Sequence, residues 1–184
     1  MASSILLSGN NFSKIALFCT SFNLQHIKTT TFYQVQRHYL CPTIESYWNE
    51  QKGKILSAIG DKPLVVSGDG RNDSPGFSAQ YCLYSVMDNE TNCIIEVQVV
   101  DKREVDLKSV RMEKLGLQRA LAALKGTVNI VELVTDASTS IAAMMSRDLE
   151  YKNIFHSLDV WHKAKKLAKT LSEVTVFIAI VIWL

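Results

Sequence analysis

The sequence is poor in the features that announce a function class at once. It has only four cysteines, Cys19, Cys41, Cys82 and Cys93. None forms a CxxC pair, and no histidine stands near them at zinc-finger spacing. They read as free thiols of a reducing compartment. A Cys82–Cys93 disulfide is conceivable only if their strands pair side by side. The formal net charge is only +2, so bulk charge gives no argument for nucleic acid; any such argument must come from where the charges sit. The N-terminus lacks a basic region, and its apolar run of Ile5, Leu6 and Leu7 stops at Ser8-Gly9-Asn10, which excludes a well-formed signal peptide. No internal repeat or low-complexity segment occurs.

Long apolar runs are also lacking, with one partial exception. Val174 to Leu184 (VTVFIAIVIWL) is almost wholly apolar, but it has about half the roughly 20 residues a spanning helix needs. It reads as a buried strand or as a tail foreign to the fold, with a membrane anchor as the alternative. Hydrophobic residues make up 47% and charged residues 21%, the balance of a globular chain rather than a disordered one.

Three stretches follow from the patterning: residues 1–60 helical, residues 61–173 an α/β core, and residues 174–184 the apolar tail. In the first, Asn11 or Ser13 is placed to cap a helix through Ile15, Leu17 and Phe18. A polar break at Gln25 to Thr30 precedes a second helix carrying Phe32, Val35, Tyr39, Tyr47 and Trp48, which Pro42 is expected to interrupt or restart. Two helices about a polar break fit a helix-turn-helix, with Gln34, Gln36, Arg37 and His38 as candidate DNA contacts. A plain helical packing arm accounts for the same pattern.

From Lys62 the period shortens. Leu64-Val65-Val66 reads as a strand ending at Ser67-Gly68-Asp69-Gly70, followed by a turn at Asp73, Pro75 and Gly76. Phe77 to Met87 and Cys93 to Val100 read as two further strands about a turn at Asn89 to Thr91. A helix with Met112, Leu115, Leu117, Leu121 and Leu124 stops at Gly126. A strand from Val128 to Val134 ends at Thr135-Asp136. A helix capped by Ser138 or Thr139 carries Ile141, Met144 and Met145. A short strand from Ile154 to Leu158 ends at Asp159, and a basic helix begins near Trp161. Three antiparallel strands followed by alternating helices and strands predict a mixed sheet of ribonuclease-H-like type.

Three aspartates share a placement at strand ends: Asp69, Asp136 and Asp159. Strand ends of one sheet share an edge, so these carboxylates are candidates for a common site. An aspartate beside glycine also serves as a turn former or helix cap. Mg²⁺ prefers oxygen ligands, and two such ions can activate the attacking oxygen and stabilise the leaving one in phosphodiester chemistry. His156 and His162 bracket Asp159. On a strand, His156 and Asp159 face opposite ways, so His156 reads as structural and His162 as a site-edge or phosphate-side donor. Lys163, Lys165, Lys166 and Lys169 read as a solvated face that can also neutralise a DNA backbone.

The segments SGDGRNDSPGFSAQYCLYSVMD, VVDKREV, MEKLGLQRAL, VELVTDAST and HSLDVWHKAKKL, with ILLSGNNFSKIALF and TFYQVQRHYLCPTIESYW upstream, resemble transposon-derived, transposase-like proteins of animal genomes. The resemblance runs over residues 5 to 172. It implies a DDE-type transposase core, Mg²⁺ or Mn²⁺ as cofactor, DNA as partner, no small-molecule substrate, and a nuclear or cytoplasmic setting. Asp69 matches the first acidic residue of that family and Asp136 the second. The third lies downstream of the DxWH motif and an intervening region, where this chain has stopped. Glu173 stands too close to replace it, and Asp159 is a further candidate ligand. The expectation is therefore a truncated descendant of a DNA-cleaving, strand-transferring enzyme that has lost activity. The alternatives are a noncatalytic DNA-binding remnant or a small protein anchored to a membrane by its tail.

Overall fold

The computed structural model describes residues 1–160 and, beyond them, Ala164, Ala168 and Leu171. The chain falls into two compact units, Met1–Lys54 and a second beginning at Ile55.

The first unit is helical: α1 (Ala2–Leu7), α2 (Phe12–Ser21), α3 (Thr29–Val35), a π-helical turn (Gln36–Leu40), and most of α4 (Cys41–Ile59). Asn11 caps α2, its side chain accepting from the Ser13 backbone N–H at 2.8 Å, which satisfies one of the orphan donors of a helix start. Ala2, Ile5, Phe12 and Phe32 form a small core, with the Phe12 and Phe32 rings stacked 4.3 Å apart. The second helix changes geometry just ahead of Pro42: α3 ends at Val35, the π-helical turn follows, and α-helix resumes at Cys41. The chain stays helical through Pro42 because the turn directly ahead widens to π geometry. That widening relieves the clash of the proline ring with the carbonyl four residues back. The link between α2 and α3 spans residues 22–28, against three to four residues in a DNA-reading helix-turn-helix.

The second unit is built on one five-stranded sheet, β1 (Pro63–Asn72), β2 (Tyr81–Asp88), β3 (Ile94–Asp101), β4 (Asn129–Thr135) and β5 (Phe155–Leu158), in the order β3-β2-β1-β4-β5. β1, β2 and β3 pair antiparallel, as short hairpin links permit. β4 joins β1 in parallel and β5 joins β4 in parallel. Parallel neighbours require crossovers, and α5 (Met112–Leu124) and α6 (Thr139–Arg147) supply them. This mixed sheet is the ribonuclease-H-like arrangement that the element order predicted. Leu64 and Val66 of β1, Tyr84 and Val86 of β2 and Leu133 of β4 are buried together with Leu117, Leu121 and Leu124 of α5 and Ile141 and Met144 of α6. Along β1 burial alternates, with Leu64, Val66 and Gly68 inside and Val65 and Asp69 outside, so one face carries the core.

Three local expectations are corrected. β1 does not end at Asp69. Its ladder with β2 continues to Asn72 opposite Cys82, because the β2 partner keeps Gly68 and Gly70 extended. β2 begins at Tyr81, not Phe77: Gly76–Ser78 form a 3-10 turn, and the Asp73 carboxylate accepts from the Gln80 and Tyr81 backbone N–H groups to hold it. The Cys82–Cys93 disulfide is excluded by register. Cys82 lies opposite Val100, whereas Cys93 follows the hairpin at the far end of β2, where its carbonyl accepts from Asp88. All four thiols are free.

Candidate active site

The parallel ladder of β1 and β4 ends at Gly68 opposite Thr135. Asp69 and Asp136 are therefore the first residues past it on their two strands. β5 ends opposite Thr135 at Leu158, and the Asp159 N–H donates to the Thr135 carbonyl at 2.9 Å. The three aspartates singled out by sequence thus stand on three adjacent strands at one edge of the sheet. Asp69 and Asp136 are exposed, and Asp159 is half-buried.

The backbone on which Asp136 sits is held from below. Thr135 is buried. Its hydroxyl donates to the Asp136 carbonyl at 3.1 Å and lies 2.8 Å from His156 Nε2. A hydroxyl has one proton to give, so Nε2 acts as the donor to it. Burial lowers the His156 pKa, keeping the ring neutral and suited to that bond. His156 thus packs under the strand end through its contact with Thr135. His162, Lys163, Lys165, Lys166 and Lys169 lie outside the described residues. Arg37 is exposed on the π-helical turn of the first unit.

One acidic residue of this edge was missed by sequence reasoning. Glu113 lies in the first turn of α5 and packs against β1: a Cβ added at Gly70 would stand 2.6 Å from its Cγ. Glu113 is half-buried, and its pKa is raised, first by burial and then by the negative charges of Asp69 and Asp136. Both aspartates therefore act on the same carboxyl from adjacent strands. The signal was present in the chain. Glu113 precedes Gly116, Leu117 and Ala120 at spacings of three, four and seven, on the side of α5 that turns to the sheet. Those three residues are buried, and an acid on such a stripe asks for a reason.

The same charges mark the neighbouring side chains. Burial, followed by Asp69, Glu113, Cys82 and Asp136, raises the Tyr84 pKa far out of the working range. Burial, followed by Glu113 and Asp69, pushes the Cys82 thiol up to about 11. The Tyr84 hydroxyl is buried without a hydrogen-bond partner among the described residues, and it occupies the space that the missing side chain of Gly68 leaves, 2.5 Å from where a Cβ would be. Among the described residues, no three His, Cys, Asp or Glu side chains stand close enough to ligate one ion as placed. The donor set is nonetheless all oxygen, which suits a hard divalent cation. Holding three carboxylates on one edge without a cation costs electrostatic free energy.

No protein-family model matches the sequence, and no curated protein matches it. Among solved structures, it is similar to the HTLV-2 integrase catalytic core domain in complex with magnesium, in a dimeric and a trimeric form. Each is 15% identical over 64% of this chain and 74% of that chain, with a TM-score of 0.36. The fold assignment rests on the strand order and pairing.

Proposed function

We propose that this chain carries a metal-dependent phosphodiesterase site for DNA, with Asp69, Asp136 and Glu113 as oxygen ligands for Mg²⁺ or Mn²⁺ and Asp159 at its margin. The observation that supports this reading is placement: Asp69 and Asp136 follow the last rung of the β1–β4 ladder, and the half-buried Glu113 of α5 packs against Gly70, next to Asp69. Glu113, in the first turn of α5, adds a third acid to the two that the transposase resemblance assigns. When bound, the cation supplies Lewis-acid stabilisation of charge on the phosphate oxygens. The protein's part is positional. Gly70 lets Glu113 approach the strand, and the Thr135–His156 pair fixes the backbone beneath Asp136.

The test is thermal stability of the purified protein against Mg²⁺ and Mn²⁺, for wild type, the Asp69→Ala/Asp136→Ala double variant and Glu113→Gln. A ligand at 100 times its Kd stabilises by about 2.7 kcal/mol. Wild type is expected to gain stability with metal, the double variant to gain none, and Glu113→Gln to need more metal for the same gain. Cleavage of a labelled DNA then follows the same ranking. A well-folded wild type with no response to either metal sinks the proposal.

A further inference from the structure

Beside the three carboxylates the surface opens into a cavity of about 220 Å³, lined by Asn72, Phe77, Ser109, Val110, Glu113 and Ser138 among others. Glu113 belongs to both, so the cavity adjoins the edge where the scissile phosphate would sit. We infer that this cavity holds one unstacked base of the DNA next to that phosphate, with Phe77 as its stacking platform, so that the site acts on single-stranded or frayed DNA; the inference rests on the phosphodiesterase reading.

Four observations carry it. Phe77 is 82% exposed and Val110 is 70% exposed, so two large apolar side chains stand bare beside a charged edge. The turn that carries Phe77 is nonetheless tied down: Lys102 Nζ donates to the Phe77 carbonyl at 2.6 Å, and Ser109 Oγ donates to the Gly76 carbonyl at 3.2 Å. A bare ring on a fixed backbone loses little freedom on binding, and an aromatic face accepts any base because every base has a π-face. The Asn72 Oδ1 atom is buried without a hydrogen-bond partner among the described residues. It is an acceptor, and each of the four bases offers at least one N–H, so this contact fixes a base without choosing its identity. Finally, no lysine or arginine stands among the described lining residues to draw a phosphate into the cavity, so the uncharged base is the part of a nucleotide that enters. The cavity is smaller than the roughly 300–1,000 Å³ of a drug-sized pocket, which suits one base and excludes a stacked pair.

Fluorescence anisotropy with a labelled single-stranded oligonucleotide and its blunt duplex, in Ca²⁺ to hold the DNA uncleaved, tests this on the full chain. Phe77 lies on the surface, so Phe77→Ala leaves the fold intact. Wild type is expected to bind the single strand more tightly than the duplex. Phe77→Ala is expected to lose roughly 5- to 150-fold on the single strand, the scale of one stacked base, and nothing on the duplex. Phe77→Trp is expected to retain wild-type binding, and Asn72→Leu to fall between. If wild type binds both DNA forms and Phe77→Ala matches it on each, the cavity has no such role and the metal reading stands. If wild type binds neither form, both the inference and the DNA reading fail.

Discussion

Replacing Gly116 with alanine sets two physical effects against each other in one helix. In the interior of α5 the exchange should stabilise by roughly 0.5–1 kcal/mol, since alanine loses less backbone entropy than glycine. The structure opposes this. A Cβ at Gly116 would stand 2.6 Å from Tyr84 Cβ and 3.1 Å from Tyr84 Cγ. These atoms are the root of the tyrosine, fixed by the β2 backbone, so they cannot swing aside. The far end of the ring is clamped too, with its hydroxyl in the space over Gly68. Overpacking costs about 1–3 kcal/mol, and a clash with the fixed root of a side chain belongs in the upper half of that range, so the expected net loss is about 1–2 kcal/mol. With m about 2 kcal/mol/M, the urea midpoint should fall by roughly 0.5–1 M. Gly53→Ala is the control: nothing lies within 4 Å of a Cβ there, and it sits within α4, so it should gain about 0.5–1 kcal/mol. Urea unfolding followed by circular dichroism compares the two. A Gly116→Ala protein as stable as wild type, or more so, would refute the packing of α5 on β2 through Tyr84, and with it the placement of Glu113.

Further outcomes follow from the charges. Because the folded Glu113 holds its proton more tightly than an unfolded glutamate, the folded state binds more protons in the window above the unfolded pKa near 4.3. Metal-free protein should therefore lose stability as pH rises through the folded pKa. In Glu113→Gln that fall should flatten; identical profiles of the two proteins in EDTA would contradict it. The buried Asp88 carboxylate behaves oppositely. Burial raises its pKa, but its bonds from the Thr91 hydroxyl and the Glu90 and Thr91 N–H groups outweigh that and hold it low. Its contribution is present above the unfolded pKa near 3.9 and lost as pH falls through the folded value. Asp88→Ala should cost about 2–3 kcal/mol at neutral pH, less in acid; a cost independent of pH would refute the carboxylate's role. Cys82, with its thiol at about 11 and fully buried, should resist alkylation at pH 8 in the native protein while exposed Cys41 reacts; mapping the labelled peptides by mass spectrometry decides it.

Much of the architecture was readable because it depends on local pattern. The short apolar run Leu64 to Val66, the turn residues at Asn89 to Thr91, and the helical spacing from Met112 to Leu124 with Gly126 behind it each specify an element from its own residues. The element order then limits the sheet, since parallel strands need a helix between them. It also put Asp69, Asp136 and Asp159 on one edge. What only the tertiary structure decided depends on partners distant in the chain. β1 runs past Asp69 because β2 pairs with it as far as Asn72. Cys82 and Cys93 are kept apart by register. Glu113 comes to lie beside Asp69 because two glycines, Gly70 and Gly116, let α5 and its neighbours close against the sheet. No window of sequence around Glu113 contains Asp69 or Asp136. The raised proton affinity that singles it out arises from burial and from charges tens of residues away, and folding alone brings them together.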